Sequence, residues 1–203
     1  MHDTPLTGYT DDIATASVTS QTGDMSMVHV AGNPALDLVG TVTSRGTLDA
    51  DELTTPDVLA QWYVDAGIVT RRPMVDERHL AAAVALREHL FPLVESLAGG
   101  TALPDRHRTA LNRAARGPVP VVAVGPDGRR TTSGDADACL VAVARAAVEL
   151  FDRADGAVVR FCADETCTHP FLDRSRTRRR RWCDMASCGD RAKVRRYRAQ
   201  PSG

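Results

Sequence analysis

Cys162-Ala-Asp-Glu-Thr-Cys167, fifteen further residues, then Cys183-Asp-Met-Ala-Ser-Cys188 is the stretch that decides how this chain is read. Two short-spaced cysteine pairs separated by a loop meet the demand of a tetrahedral zinc site. Each pair delivers two thiolates from one turn, and folding brings the pairs together. One Zn2+ per chain is therefore expected, held by Cys162, Cys167, Cys183 and Cys188. His169, two residues past Cys167, could serve a variant site; with four thiolates at hand it is expected to face solvent or cap a turn. The fifth cysteine, Cys139, stands alone in an apolar helical stretch and reads as a small buried hydrophobe.

The residues around the cysteines order the module. Arg160-Phe161-Cys162 reads as a short strand entering a knuckle, and Phe171-Leu172 as a second strand. Asp173 and Ser175 are turn formers. Cys188 is expected at the start of a helix running through Arg198, with Ser187 as a cap. Knuckle, hairpin and a helix whose first turn completes the site give a treble-clef-like zinc finger. So small a module buries too little apolar surface to fold alone, so metal binding supplies the missing stability.

Charge is concentrated in the same segment. From Arg160 to Gly203 there are 12 Lys+Arg against 5 Asp+Glu, leaving 13 against 21 for residues 1–159 and a net charge of −1 overall. Two basic sets account for this: Arg174, Arg176, Arg178, Arg179, Arg180 and Arg181 in the loop, then Arg191, Lys193, Arg195, Arg196 and Arg198 on the helix. Arginine suits phosphate and guanine-edge contacts better than lysine does. Helical spacing puts Arg191, Arg195 and Arg198 on one face, expected to meet base edges, while Arg178 to Arg181 hold phosphates. Val194 and Tyr197 are expected to seat the helix on the module, and Trp182 to pack in the core.

Upstream the pattern is helical. Residues 1–27 are polar, without an apolar period, and read as a disordered leader. Asn33-Pro34 and Thr55-Pro56 are helix starts, followed by apolar stripes at Leu36, Leu38 and Val39 and at Val58, Leu59, Trp62 and Tyr63. A long helix is expected from about Asp76 to Leu97, with Leu80, Val84, Leu90, Phe91, Val94 and Leu97 inward and Pro92 kinking or splitting it. Another runs from Pro104 to Gly117. Val119 to Val124, Gly125-Pro126-Asp127-Gly128 and Arg129 to Thr132 form a β-hairpin. A last helix from Asp135 buries Leu140, Val143, Ala147, Leu150 and Phe151. The expected fold is mainly α with one small β-hairpin. Its helical domain covers 28–155 and the zinc finger covers 156–203, joined tightly at Asp155-Gly156.

No apolar run of membrane-spanning length and no secretory signal are seen, so a reducing, cytoplasmic setting is expected, in which thiols bind metal in preference to forming disulfides. Nor is there a catalytic motif. His79 and His89 lack ligand spacing, and a closed four-thiolate site leaves no position for water, so the chain reads as no enzyme. Three roles remain. The finger could bind duplex DNA as part of a transcription regulator, with the body sensing a signal or forming a homodimer. It could grip RNA or an acidic protein partner. It could act as a thiol switch through zinc ejection.

Phe171-Leu-Asp-Arg-Ser-Arg176, Trp182-Cys183 and Cys188-Gly-Asp-Arg191 resemble the CGNR zinc finger. Gly32-Asn-Pro-Ala-Leu-Asp-Leu38, Leu53-Thr-Thr-Pro56, Trp62 and Leu111-Asn112 resemble the ABATE domain that precedes that finger. The resemblance implies a bacterial, nucleoid-associated transcriptional regulator linked to stress, with a zinc-binding C-terminus on DNA. Two positions depart from the family pattern. Asp190 stands in place of Asn, and Gly40 stands where the Leu-Asp-Leu-x-Asn-Thr segment carries Asn.

Overall fold

The computed structural model describes residues 29–152, 157–164 and 166–199. The leader expected over 1–27 and the joint at Asp155-Gly156 lie outside the described residues. Five helices build the body: α1 Pro34–Gly40, α2 Pro56–Asp65, α3 Glu77–Gly99, α4 Asp105–Ala114 and α5 Ala136–Glu149. Each start has a local cause. Asn33 accepts a hydrogen bond from the Ala35 amide at 2.8 Å, Thr55 from Val58 at 3.3 Å and Asp135 from Ala138 at 2.8 Å. Asp76 and His79 close a reciprocal capping box on α3. That helix ends at Gly100, whose φ of 67° puts it in the left-handed region. Pro92 sits inside α3 without splitting it. For the α4 start, Pro104 offers no side-chain cap.

Helix α1 is the axle. Ala35 through Gly40 are all buried, and α1 packs on both α3 and α5. The Asn33 side chain that caps α1 also donates to the Ala146 carbonyl of α5 at 3.0 Å. Such complete burial explains the run of small and aliphatic residues, and it isolates Asp37, whose carboxylate accepts from the Ala31 amide at 3.0 Å.

The buried face of α3 is Ala83, Leu86, Leu90, Leu93 and Val94. Leu80, Val84, Phe91 and Leu97, expected inward, are half-buried at its margins. Arg87 occupies that face too. Its guanidinium grips both oxygens of Asp51 at 2.7 Å and donates to Thr41 Oγ1 at 3.1 Å. A paired, forked arginine can be buried where a lone one could not. On α5 the buried set is Ala136, Ala138, Cys139, Val143, Ala144 and Ala147, with Leu150 just past its end. Phe151 lies beyond the helix and is 37 % exposed, contrary to expectation.

Three antiparallel pairs occur among the described residues, where one hairpin was expected within the body. β3 Val121–Val124 with β4 Arg130–Ser133 is the expected hairpin, Val121 opposite Ser133. β1 Val42–Thr43 with β2 Ala50–Asp51 was missed, being two residues long on each side. β5 Val158–Phe161 with β6 Pro170–Asp173 matches the strands read into the finger.

This last pair joins the body's core. β6 packs on α1 and β5 on α3, Leu172 N donates to the Ala31 carbonyl at 2.8 Å, and Val159 and Phe171 have almost no exposed surface. One hydrophobic cluster runs from Leu36 and Trp62 through Val143 to Phe171 and Cys183. Among the described residues no helix is long and apolar enough to cross a membrane.

Candidate metal centre and basic surface

Cys162, Cys167, Cys183 and Cys188 converge. Their sulfurs all lie within 4.8 Å of one another, with Cys167–Cys183 at 3.7 Å and Cys183–Cys188 at 3.6 Å. Tetrahedral zinc with Zn–S bonds of about 2.3 Å places its sulfurs roughly 3.8 Å apart, so the four fit one zinc ion. Crowding shows in their acidity. Hydrogen bonds from Cys167 and Cys183 pull the Cys162 thiol well down. Cys167, hydrogen-bonded to that same sulfur, is pushed up to about 12, and Cys183 is raised for the same reason. A divalent cation resolves this conflict by favouring all four thiolates at once. His169 lies outside the four-cysteine cluster, as expected, but it is half-buried with its ring against Gly40.

The second pair enters through a wide π-helical turn, Met185–Gly189, that runs directly into α6, Asp190–Arg198. Cys188 therefore sits inside that turn. Asp184 provides the cap that was assigned to Ser187, accepting from the Ser187 amide at 2.7 Å. α6 has no buried residue at all. Val194 and Tyr197, expected to seat it, are exposed, Tyr197 by 79 %.

Asp164 does the seating. It stands in the first knuckle with no exposed side-chain surface and takes Arg191 Nε at 3.1 Å and Arg195 at 3.2 Å. Burial alone would raise its pKa; hydrogen bonds from Thr166 and the two guanidiniums outweigh that and hold it below the usual carboxylate range. Arg191 also donates to Cys188 Sγ at 2.9 Å, placing a positive charge against a metal-ligating sulfur. No spacing rule in the sequence could have paired Asp164 with residues 27 and 31 positions later.

The eleven basic residues thus divide. Several hold the finger together: Arg191 and Arg195 through Asp164, Arg174 on the Gly32 carbonyl at 3.0 Å, and Arg178 on the Asp173 carbonyl at 3.1 Å. Arg180 donates to the Trp182 and Cys183 carbonyls and lies over the Phe171 ring at 4.9 Å. Buried Asp173 organises this loop, accepting from Ser175 N at 2.9 Å and Arg180 N at 3.0 Å. Lys193 pairs with Asp190 at 2.8 Å, which neutralises the carboxylate at the departure from the family pattern. Arg176, Arg179, Arg181, Arg196 and Arg198 meet no carboxylate among the described residues, and all five are exposed. Trp182 is half-buried against the core, with Arg181 over its ring at 5.2 Å.

The other departure, Gly40, has a structural cause. A Cβ there would lie 2.2 Å from His169 Nε2. The imidazole fills the space that any side chain at position 40 would need, and desolvation lowers its basicity. Asn at 40 is incompatible with His169 in this position.

Residues 32–154 match the ABATE family, described as "putative stress-induced transcription regulator". Residues 159–200 match the CGNR zinc finger. Comparison with curated proteins found no match. The first match spans the helical body from Gly32 onward and the second spans all four cysteines of the cluster, and the chain belongs to the ABATE family, with a CGNR zinc finger at its C-terminal end.

Proposed function

We propose that this chain is a transcription regulator whose finger binds duplex DNA, with the helical body as sensor or dimerisation unit and no catalytic role. The observation that carries this reading is the division of the arginines. Arg176, Arg179 and Arg181 on the loop and Arg196 and Arg198 on α6 are exposed and without carboxylate partners among the described residues. The rest are spent on the fold. α6, without a buried residue, is fastened through Cys188 before its start and through Arg191 and Arg195 on Asp164, which leaves Arg196 and Arg198 exposed. A short projecting helix with unpaired guanidiniums suits a major groove, and the loop arginines suit phosphates. Arg191 and Arg195, expected to read bases, are turned toward Asp164, which passes base reading to Arg196 and Arg198.

The test is a titration of zinc-loaded protein at several salt concentrations, against a site mapped from cells and a scrambled duplex. Arg179→Gln with Arg181→Gln should weaken both complexes alike and flatten the salt dependence by about two units of slope. Arg196→Gln should cost about 1–3 kcal/mol on the mapped site only. Equal affinity of the wild type for both duplexes would refute the reading and leave RNA or an acidic protein as the partner of the same charges.

A further inference from the structure

A cleft of about 510 Å3 opens where finger meets body, between Ala98 in the last turn of α3, Val158 and Phe161 of β5, and Arg160, Arg179 and Arg181. Its volume falls in the roughly 300–1,000 Å3 range of small-molecule sites. Ala98, Val158 and the half-buried Phe161 supply apolar surface beside the arginines, and the Phe161 ring is braced edge-on by Phe91 at 6.0 Å. The wall is cationic. Arg160 is fixed in place by the Arg178 carbonyl and by buried Asp173, 3.4 Å away. Arg180 lines the cleft as well, its guanidinium held by the Trp182 and Cys183 carbonyls; Arg179 and Arg181 meet no carboxylate among the described residues, so four arginines line a cleft in which Asp173 pairs with Arg160. The carbonyl end of α3 disfavours an anion here, and this excess of positive charge is what overcomes it.

We propose that this cleft binds a phosphate monoester with a flat apolar body, of mononucleotide size. The flat body lies on β5 and the phosphate sits between Arg179 and Arg181, with Arg160 behind. A duplex is a convex rod that rides on the rim arginines and does not reach the β5 floor. The ligand is therefore a free small molecule or a nucleotide extruded from a strand end. Because Arg179 and Arg181 serve both roles, the inference rests on the DNA-binding reading in one respect: an occupied cleft withdraws two phosphate contacts from the duplex, coupling ligand to DNA release.

The experiment is calorimetric titration of the zinc-loaded full chain with AMP, adenosine and inorganic phosphate, with the duplex titration run in parallel. AMP should bind at least tenfold more tightly than adenosine or phosphate. Ala98→Phe, at an exposed position on α3, fills the cleft from the body side. It should weaken AMP at least tenfold and leave the duplex salt slope unchanged. Arg179→Glu, at an exposed loop position, is the second variant and should abolish AMP binding. A 5′-phosphorylated single strand that displaces AMP assigns the cleft to a strand end; failure to displace it assigns the cleft to a free ligand, and either result upholds the site. AMP binding no tighter than phosphate, or unchanged in a folded Ala98→Phe or Arg179→Glu chain, overturns it. Loss of duplex selectivity with AMP binding intact refutes the regulator reading alone.

Discussion

Helices α5 and α6 are held by opposite means. α5 buries six residues, Cys139 and Val143 among them, and is part of a continuous apolar core. α6 buries none and is fastened by one cysteine and by two guanidiniums on Asp164. The change between the two regimes falls inside the finger: β5 and β6 contribute to the body's core, the four cysteines stand within or against that core, and α6 buries nothing in it. Apolar burial is non-directional and cooperative over many residues, whereas a metal site with its buried acid acts only on what it touches. The segment fastened at the four-cysteine site also carries a cluster of exposed arginines that meet no carboxylate among the described residues.

The sharpest way to break this comparison is to remove the metal. Cys183→Ser should abolish stoichiometric zinc, because structural zinc contributes on the order of 10 kcal/mol to such sites. Hydrogen exchange should then show α6 and the basic loop unprotected, with α1, α3, α5 and the β5–β6 amides still slow. If β5–β6 opens together with α6, the finger is one metal-dependent unit and the dividing line is misplaced.

A smaller effect tests the other side of the line. Phe171 lies in the finger yet has no exposed surface within the body cluster. Phe171→Ala should lower the free energy of global unfolding by about 3–5 kcal/mol in a denaturant titration followed by helical signal. Destabilisation confined to the metal site would contradict the shared core.

The smallest effect concerns how each region treats a buried acid. Asp164 is surrounded by donors and held low, whereas burial raises Asp37 to about 6, only partly offset by the Ala31 amide. A raised native value means that the folded state holds the extra proton. Asp37 therefore favours folding near pH 4, and this contribution is lost as pH rises through about 6. Asp37→Asn should remove that slope between pH 4 and 7 and change stability at pH 7 by only about 1 kcal/mol. An unchanged pH profile would show that burial does not raise Asp37 above its unfolded value.

What could be read from the chain alone was what depends on near neighbours. The caps at Asn33 and Thr55, the hairpin turn at Gly125 to Gly128, the cysteine pairs and the charge concentration all act within a few residues, where spacing is informative. Helix existence followed from periodicity, but the choice of inward row on α3 did not. That row depends on Arg87 meeting Asp51, 36 positions away.

Tertiary structure decided everything that required two distant segments to meet. It put Asp164 under Arg191 and Arg195, turning two expected base readers into fasteners. It set His169 against Gly40, buried Phe171 with Val143 in one core, and opened a cleft between α3 and the arginine loop. A guanidinium looks the same in sequence whether it pairs with a buried acid or faces water. Only the fold, by placing or withholding a carboxylate, determines which positive charges remain for a partner.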